Sequence, residues 1–173
     1  VKKELAVAQG RLRVAGVDAS WTRAEGMHLT LKFLGEVTDQ QVPEIMSNLR
    51  KAAEGIGPLG LTVSGVGTFP NPKNARVVWI GLAGDIEKLT RLQVAVENAM
   101  VLIGMAREER KFTPHLTLGR IKNIRSRDRW VTTLEKVKEI SLPEFKVTSV
   151  SLMQSELRPA GAVYTEMGCV ELQ

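Results

Sequence analysis

The chain has 173 residues, enough for one domain with a buried core or for two small lobes, but hardly for two independent domains. Its composition, 43% hydrophobic and 25% charged, is that of an ordinary globular protein, and its single cysteine excludes an intramolecular disulfide and a multi-cysteine metal site. The net charge is +5, no apolar run could span a bilayer and the N-terminus has no secretory pattern, so we expect a cytoplasmic protein without membrane contact.

The hydrophobic periodicity predicts a mixture of helices and strands joined by short turns. Thr38 and Gln41 resemble a capping box, and Asp85 is expected to cap a second helix. In chain order, the predicted elements are a helix at 1–10, a strand at 28–33, a helix from Thr38 to near Gly55 and Gly57, strands at 59–69 and 75–82 around a turn at 70–74, a helix at 85–103, a strand at 112–121, a helix at 126–139, and strands at 145–153 and 162–172 around a turn at 158–161.

The order of these elements roughly repeats, which suggests an internal duplication with approximate two-fold symmetry. Each half begins with a strand and continues with a helix and a strand pair. Strands mixed with helices in this way indicate the α+β class and not a doubly wound parallel sheet. No linker separates the halves, so we expect residues 1–173 to form a single domain.

The two histidines of the chain begin the same four-residue phrase, His-Leu-Thr-Leu, at His28 and His115. A given histidine has these three successors by chance roughly once in a thousand times. In a strand, residues i and i+2 point the same way, so Thr30 lies beside His28 and Thr117 beside His115. Over 28–33 the same alternation predicts Lys32 on the face of His28, and Leu29, Leu31 and Phe33 on the other face, toward the core. Two such strands side by side would form a site for an anion the size of phosphate.

Histidine pairs suit acid–base chemistry at phosphorus because the ordinary pKa of histidine, about 6.5, allows one neutral and one protonated copy near neutral pH. The neutral ring can accept a proton from water while the charged ring donates one to the leaving oxygen. Arg120 follows the second phrase and could bind a phosphate with two hydrogen bonds. The surrounding segment, residues 107–129, carries a net charge of +5, which would attract a polyanion.

A metal site is the main alternative for a pair of histidines. Neither histidine has a second histidine, a cysteine or a carboxylate at i+2 or i+4, so we expect no metal and no other cofactor. A nucleophilic serine or cysteine fits less well still. The sequence has no Gly-x-Ser-x-Gly motif, and Cys169 lacks the flanking residues of a catalytic thiol.

The chain resembles the two-histidine (2H) phosphoesterases and, within them, the RNA 2',3'-cyclic phosphodiesterases, also called LigT-like or 2'-5' RNA ligase-like proteins. The resemblance covers about residues 15 to 170. It rests on three blocks: HLTLKFLGE at 28–36, Phe69 with RVVWIG at 76–81, and FTPHLTLGR at 112–120.

The resemblance implies a bilobal fold with two pseudo-symmetric antiparallel-sheet lobes, helices outside and a central cleft. It also implies hydrolysis of 2',3'-cyclic phosphates to 2'-phosphomonoesters without metal. By the same resemblance, His28 would be the proton donor to the leaving 3'-oxygen and His115 the acceptor that activates water. Thr30, Thr117 and Arg120 match the positions that contact phosphate. The residues alone require both roles but do not assign them.

One departure from the family concerns the N-terminus. Family members usually open with a short apolar strand containing phenylalanine, and nothing here corresponds to it. Without that strand one lobe would lose an edge of its sheet and a base-contacting aromatic residue, whereas the histidine chemistry would be unaffected.

The expected partners are RNA ends or cyclic nucleotides, including tRNA fragments, and the expected state is a monomer. Two alternatives stay open. The first is a non-catalytic RNA-binding module of the same fold, which the basic segment would suit equally well. The second is the reverse reaction, which would join RNA ends through a 2'-5' linkage.

Overall fold

The computed structural model describes residues 2–138, 140, 142–158 and 161–173. Over these residues it contains four helices and seven strands, with short 3-10 turns at Ala24–Gly26, Asp39–Gln41 and Pro72–Asn74. In chain order they are α1 (Lys2–Arg13), β1 (Val17–Trp21), α2 (Val42–Ala53), β2 (Leu59–Phe69), β3 (Val77–Gly84), α3 (Ile86–Leu102), β4 (His115–Ile124), α4 (Arg127–Val137), β5 (Phe145–Val147), β6 (Ser149–Arg158) and β7 (Gly161–Glu171).

The strands form two sheets, and the chain divides into two compact units. One sheet has the order β1-β4-β3-β2-β5, with β4 antiparallel to both β1 and β3; the other is the antiparallel pair β6-β7. The predicted α+β class is confirmed. The first unit comprises Val1–Leu29, Thr62–Gly84 and Pro114–Phe145, and the second comprises Thr30–Leu61, Asp85–Thr113 and Lys146–Gln173.

The core of the first unit lies under β3 and β4. Val78, Ile80 and Leu118 of these strands are fully buried together with Leu5 of α1. Trp130 of α4 is also fully buried, and its indole N–H donates to the Pro72 carbonyl at 3.1 Å, which satisfies the polar end of the ring. The helices therefore cover the apolar face of the sheet and leave its other face for polar side chains.

The periodicity of α2 predicts one apolar stripe, formed by Val42, Ile45, Met46, Leu49, Ala52, Ala53 and Ile56, and the buried face of the helix follows it. In α2 the buried residues are Ile45, Met46, Leu49, Ala52 and Ala53. The predicted capping box is present, because the Thr38 backbone N–H donates to Gln41 Oε1 at 3.0 Å. Asp85 does precede α3, but its side chain makes no cap. Its carboxylate instead accepts a hydrogen bond from the Gly60 backbone N–H at 2.8 Å.

Two other predicted strands differ from the structure. Residues 28–33 are irregular, with one bridge at Leu29, and β1 was not expected. The predicted strand 145–153 is divided into β5 and β6. The proposed turn at 158–161 includes Pro159 and Ala160, and the helices at 1–10 and 126–139 begin or end on Val1 and Glu139; these four positions lie outside the described residues.

None of the helices in the described part of the chain is both long enough and apolar enough to cross a membrane.

Candidate active site

His115 is the first residue of β4 and lies half-buried beside two aromatic rings. The centroid of its imidazole is 5.2 Å from that of Phe69, in an edge-to-face arrangement at 80°, and 6.0 Å from that of Trp79. The Phe69 and Trp79 rings are themselves 5.1 Å apart. Because edge-to-face contacts favour defined ring orientations, this aromatic corner limits how the imidazole can turn. Sequence reasoning gave Phe69 and Trp79 no part in the site.

The two His-Leu-Thr-Leu phrases meet at one antiparallel bridge, between Leu29 and Leu116. Leu116 is 8% exposed, and Leu29 packs against the same core. Side chains alternate along a pleated backbone, so the neighbours of these leucines point away from the core. In an antiparallel bridge the residue before Leu29 lies on the side of the residue after Leu116. His28, Thr117 and His115 therefore share one face of the first unit.

A backbone carbonyl fixes the orientation of the His28 ring. The side chain is exposed, and its Nδ1 lies 2.8 Å from the carbonyl oxygen of Gly26, at the end of the 3-10 turn Ala24–Gly26. A carbonyl oxygen only accepts, so Nδ1 is the donor and carries a hydrogen. Nε2 is therefore the ring nitrogen that the Gly26 carbonyl does not engage. The buried side chain of Met27, 9% exposed, anchors this turn.

Arg120 reaches the histidine face because of a bulge in β4. Strict alternation from His115 would direct residue 120 to the core. The pairing of β4 with β3, however, shifts by one residue between Thr117 and Gly119. Gly119 pairs with Val78 whereas Thr117 pairs with Trp79, so Leu118 has no partner on β3. The shift restores Arg120 to the face of His115 and Thr117, and Arg120 is exposed there.

Thr30 is exposed and directly follows the bridge at Leu29. It is the first residue of the second unit. Its contact with phosphate stays a prediction.

The predicted alternation of side chains fails for Lys32 and Phe33, the two residues that follow the first His-Leu-Thr-Leu phrase. Alternation placed Lys32 beside His28 and Thr30, and Phe33 in the core. The structure reverses both, because the Lys32 side chain is 2% exposed and paired with Glu97, whereas Phe33 is 78% exposed. The segment makes one bridge and no continuous ladder, so its side chains do not alternate regularly between two faces.

The basic segment 107–129 is divided between the two units. In the second unit, Arg110 donates to both carboxylate oxygens of Glu108 at 2.9 and 2.7 Å, and this pairing lowers the pKa of Glu108 to about 2. The charge of Arg110 is therefore largely matched locally. The exposed cations of the segment that belong to the same unit as His115 are Arg120, Lys122, Arg125, Arg127 and Arg129.

Among the residues that the structure describes, no three or more His, Cys, Asp or Glu side chains are grouped in a way that could hold a metal ion.

An α+β fold with two histidines, a threonine hydroxyl and an arginine on one sheet face is the arrangement of a phosphoesterase of the two-histidine class. Comparison with known families agrees. A family described as LigT-like phosphoesterase matches residues 1–79 and 80–164. The chain belongs to the LigT-like phosphoesterases, and the resemblance stated from the sequence is confirmed.

Several relatives that match this chain over most of their own length share one name. A protein of Methanothermobacter thermautotrophicus, named RNA 2',3'-cyclic phosphodiesterase, is 36% identical over 159 residues, which is 92% of this chain and 85% of the relative. One of Thermotoga maritima with the same name is 34% identical over 168 residues, covering 95% and 85% of the two chains.

Solved structures show the same fold. A crystal structure of a Thermus thermophilus protein matches with a TM-score of 0.80 and 26% identity, over 99% of this chain and 91% of that one. Escherichia coli LigT in complex with 3'-AMP matches with a TM-score of 0.72 and 21% identity, over 98% and 91%. The second likeness concerns the fold alone.

Proposed function

We propose that the chain hydrolyses the 2',3'-cyclic phosphate of RNA ends and of nucleosides to a 2'-phosphomonoester, without a metal ion. Water attacks phosphorus, the bond between phosphorus and the 3'-oxygen breaks, and the 2'-oxygen keeps the phosphate. One proton leaves the attacking water and one arrives on the 3'-oxygen, so the reaction needs one base and one acid on opposite sides of phosphorus.

In this proposal His28 is the acid and His115 the base. Nδ1 of His28 is engaged by the Gly26 carbonyl, so the proton for the 3'-oxygen would be held at Nε2. His115 would take the proton from water. Thr30, Thr117 and Arg120 would bind the non-bridging oxygens and stabilise the charge that moves onto them in the transition state.

The observation that carries the proposal is the bridge between Leu29 and Leu116. It pairs one residue of each of the two identical phrases in antiparallel orientation, which supports the assignment of two groups to one phosphorus atom. The name shared by the relatives supports the choice of a cyclic phosphate as substrate.

The direct test is incubation of the protein with adenosine 2',3'-cyclic phosphate in excess EDTA, with chromatographic identification of the product. We expect adenosine 2'-phosphate, and none from the double variant His28→Ala with His115→Ala. Activity abolished by EDTA and restored by zinc would overturn the metal-independent mechanism. Formation of the 3'-phosphate would overturn the assignment of the leaving oxygen.

The substrate range and the working state are part of the same proposal. We propose that residues 1–173 act as one domain, as a monomer, in the cytoplasm, on RNA ends that include tRNA fragments. Competition between a cyclic mononucleotide and an oligoribonucleotide with a 2',3'-cyclic end tests the preference. A lower KM for the oligonucleotide, with a strong salt dependence, is the expected result because added phosphates contact exposed cations.

A further inference from the structure

Gln9 is a buried polar residue of α1 whose side chain reaches two strands of the sheet. It is 5% exposed, and its Nε2 donates to the carbonyl oxygens of Thr22 and Leu118, each at 2.7 Å. Both hydrogens of the amide are thus used. Thr22 directly follows β1, and Leu118 is the bulged residue of β4, which the pairing with β3 skips between Thr117 and Gly119. One side chain therefore joins the end of β1 to the bulge in β4.

The bulge matters because it decides the direction of Arg120. In a strand whose register shifts by one residue, every later side chain changes face. The carbonyl of Leu118 accepts from the backbone N–H of Thr22 at 3.0 Å and from Gln9, so two donors converge on the bulged residue. On the other side of the bulge, the Ile121 N–H donates to the Arg76 carbonyl at 2.8 Å.

The surroundings of Gln9 fix which end of its amide faces the strands. Its Oε1 accepts from Arg13 at 3.3 Å, so Nε2 points toward the two carbonyls. The Arg13 guanidinium in turn lies 5.5 Å from the centre of the Trp21 ring. That ring covers Gly119, where a Cβ would stand 2.9 Å from the indole and 3.3 Å from the Ser20 carbonyl.

We propose that Gln9 is a positioning residue for the phosphate-binding arginine: it holds the bulge at Leu118 in the one register that directs Arg120 to the face of His28 and His115. The inference rests on the proposed function only for the identity of the ligand. The geometry of the bulge is independent of that function, because it depends on Gln9, Thr22 and Leu118 alone. Gln9 itself lies on the core side of the sheet, in contact with backbone and Arg13, and touches no reacting atom.

The kinetic test uses Gln9→Met, which keeps the length of the side chain and removes its donors. With adenosine 2',3'-cyclic phosphate we expect KM to rise about five- to tenfold and kcat to change less. This effect is smaller than the roughly hundredfold loss of rate that a 1 Å misplacement of a reacting group can cause. In an Arg120→Met background the same substitution should raise KM by less than about twofold, because the group that it positions is gone. Fully additive effects of the two substitutions would overturn the proposal.

The matched control is Leu12→Ala, which removes a fully buried side chain one turn further along α1. It should lower the midpoint of urea denaturation at least as much as Gln9→Met and leave KM within about twofold of the unsubstituted protein. A rise in KM equal to that of Gln9→Met would show a general effect of destabilisation and overturn the positioning role.

Amide hydrogen exchange separates this inference from the proposed function. In Gln9→Met the N–H groups of Thr22 and Ile121 should exchange about tenfold faster than in Leu12→Ala at matched global stability. If the unsubstituted protein hydrolyses no cyclic phosphate, the proposed function fails and the exchange rates still decide whether Gln9 holds the bulge. Unchanged exchange at both amides would overturn the inference whatever the activity.

Discussion

Lys32 and Glu97 form a buried ion pair in the second unit, with Nζ 2.8 Å from Oε1 and the side chains 2% and 9% exposed. The same ammonium group donates to the Ala106 carbonyl at 2.7 Å, and Glu97 Oε1 also accepts from the Glu108 backbone N–H at 2.9 Å. The pair thus ties residue 32, four positions after His28, to α3 and to the segment that follows it. In the described part of the chain Glu97 Oε2 has no hydrogen-bond partner.

Lys32→Met should be among the most destabilising substitutions in the chain. It leaves the Glu97 carboxylate buried beside an apolar side chain, and loss of one partner from a buried pair costs about 3–5 kcal/mol. Replacement of both residues, Lys32→Met with Glu97→Leu, should recover most of that loss because no buried charge remains. Urea denaturation of the two variants measures the difference.

The control for this substitution is Lys138→Met, which breaks the exposed pair with Glu135, 3.6 Å apart. Exposed pairs contribute about 0–1 kcal/mol, so this variant should unfold almost like the unsubstituted protein. An equal effect of the two methionine substitutions would contradict the importance of burial.

The titration of Glu97 gives the pair a predictable pH dependence. Burial is the largest single influence on Glu97 and raises its pKa. The hydrogen bonds from Lys32 and from the Glu108 N–H lower the pKa, as do the positive charges of Lys32 and Arg107. Together these contacts outweigh burial, so the pKa of Glu97 lies below the ordinary 4.5. Because the folded-state pKa is lowered, this carboxylate adds stability above the unfolded-state pKa and loses it as pH falls through the folded-state value.

Glu97→Gln removes that dependence and provides the measurement. Between pH 7 and pH 5 the difference in the free energy of unfolding between the two proteins should be constant. Below about pH 4.5 the unsubstituted protein should lose its advantage steadily. A difference that grows as the pH falls would show that the pKa is raised and not lowered.

The ion pair also shows where prediction from sequence stops. The bounds of β2 and the apolar stripe of α2 could be predicted because they depend on local periodicity. Glu97, the partner of Lys32, lies 65 residues away in the sequence, and no local pattern predicts the contact. Alternation alone therefore put Lys32 on the exposed face with His28, and Phe33 on the core-facing side with Leu29, the reverse of the structure.

Arg120 illustrates a different case, a predicted site residue whose direction the sequence alone could not explain. Its type and its place after His115 suggested a phosphate ligand, yet strict alternation from His115 points it to the core. The bulge at Leu118 that corrects this appears only in the pairing of β4 with β3. Gly119 was the available signal, because glycine inside a strand often marks a bulge or a close approach.

Gly67→Ala should disturb the aromatic corner around His115. A Cβ at residue 67 would overlap the Trp79 ring, so the indole must move, and its contact with His115 moves with it. We expect a fall in kcat of about ten- to a hundredfold with adenosine 2',3'-cyclic phosphate, since a displacement near 1 Å can cost that much.

The matched control for Gly67→Ala is Gly10→Ala in α1, where a Cβ meets nothing within 4 Å. Alanine there should stabilise the helix by about 0.5–1 kcal/mol and leave kcat unchanged. Equal kinetic effects of the two substitutions would contradict the role of the Trp79 position.

The assignment of His28 as acid and His115 as base predicts how each histidine shapes the pH–rate profile. The unsubstituted protein should show a bell, because the base must be deprotonated and the acid protonated. His28→Ala and His115→Ala should each lower kcat by about 10²–10⁴-fold. The residual activity of His28→Ala should lose the fall at alkaline pH, which reports the acid, and that of His115→Ala should lose the fall at acidic pH, which reports the base. The opposite pattern, measured over pH 5 to 9 in EDTA, would exchange the two roles, and near-normal turnover in either variant would remove that histidine from the mechanism.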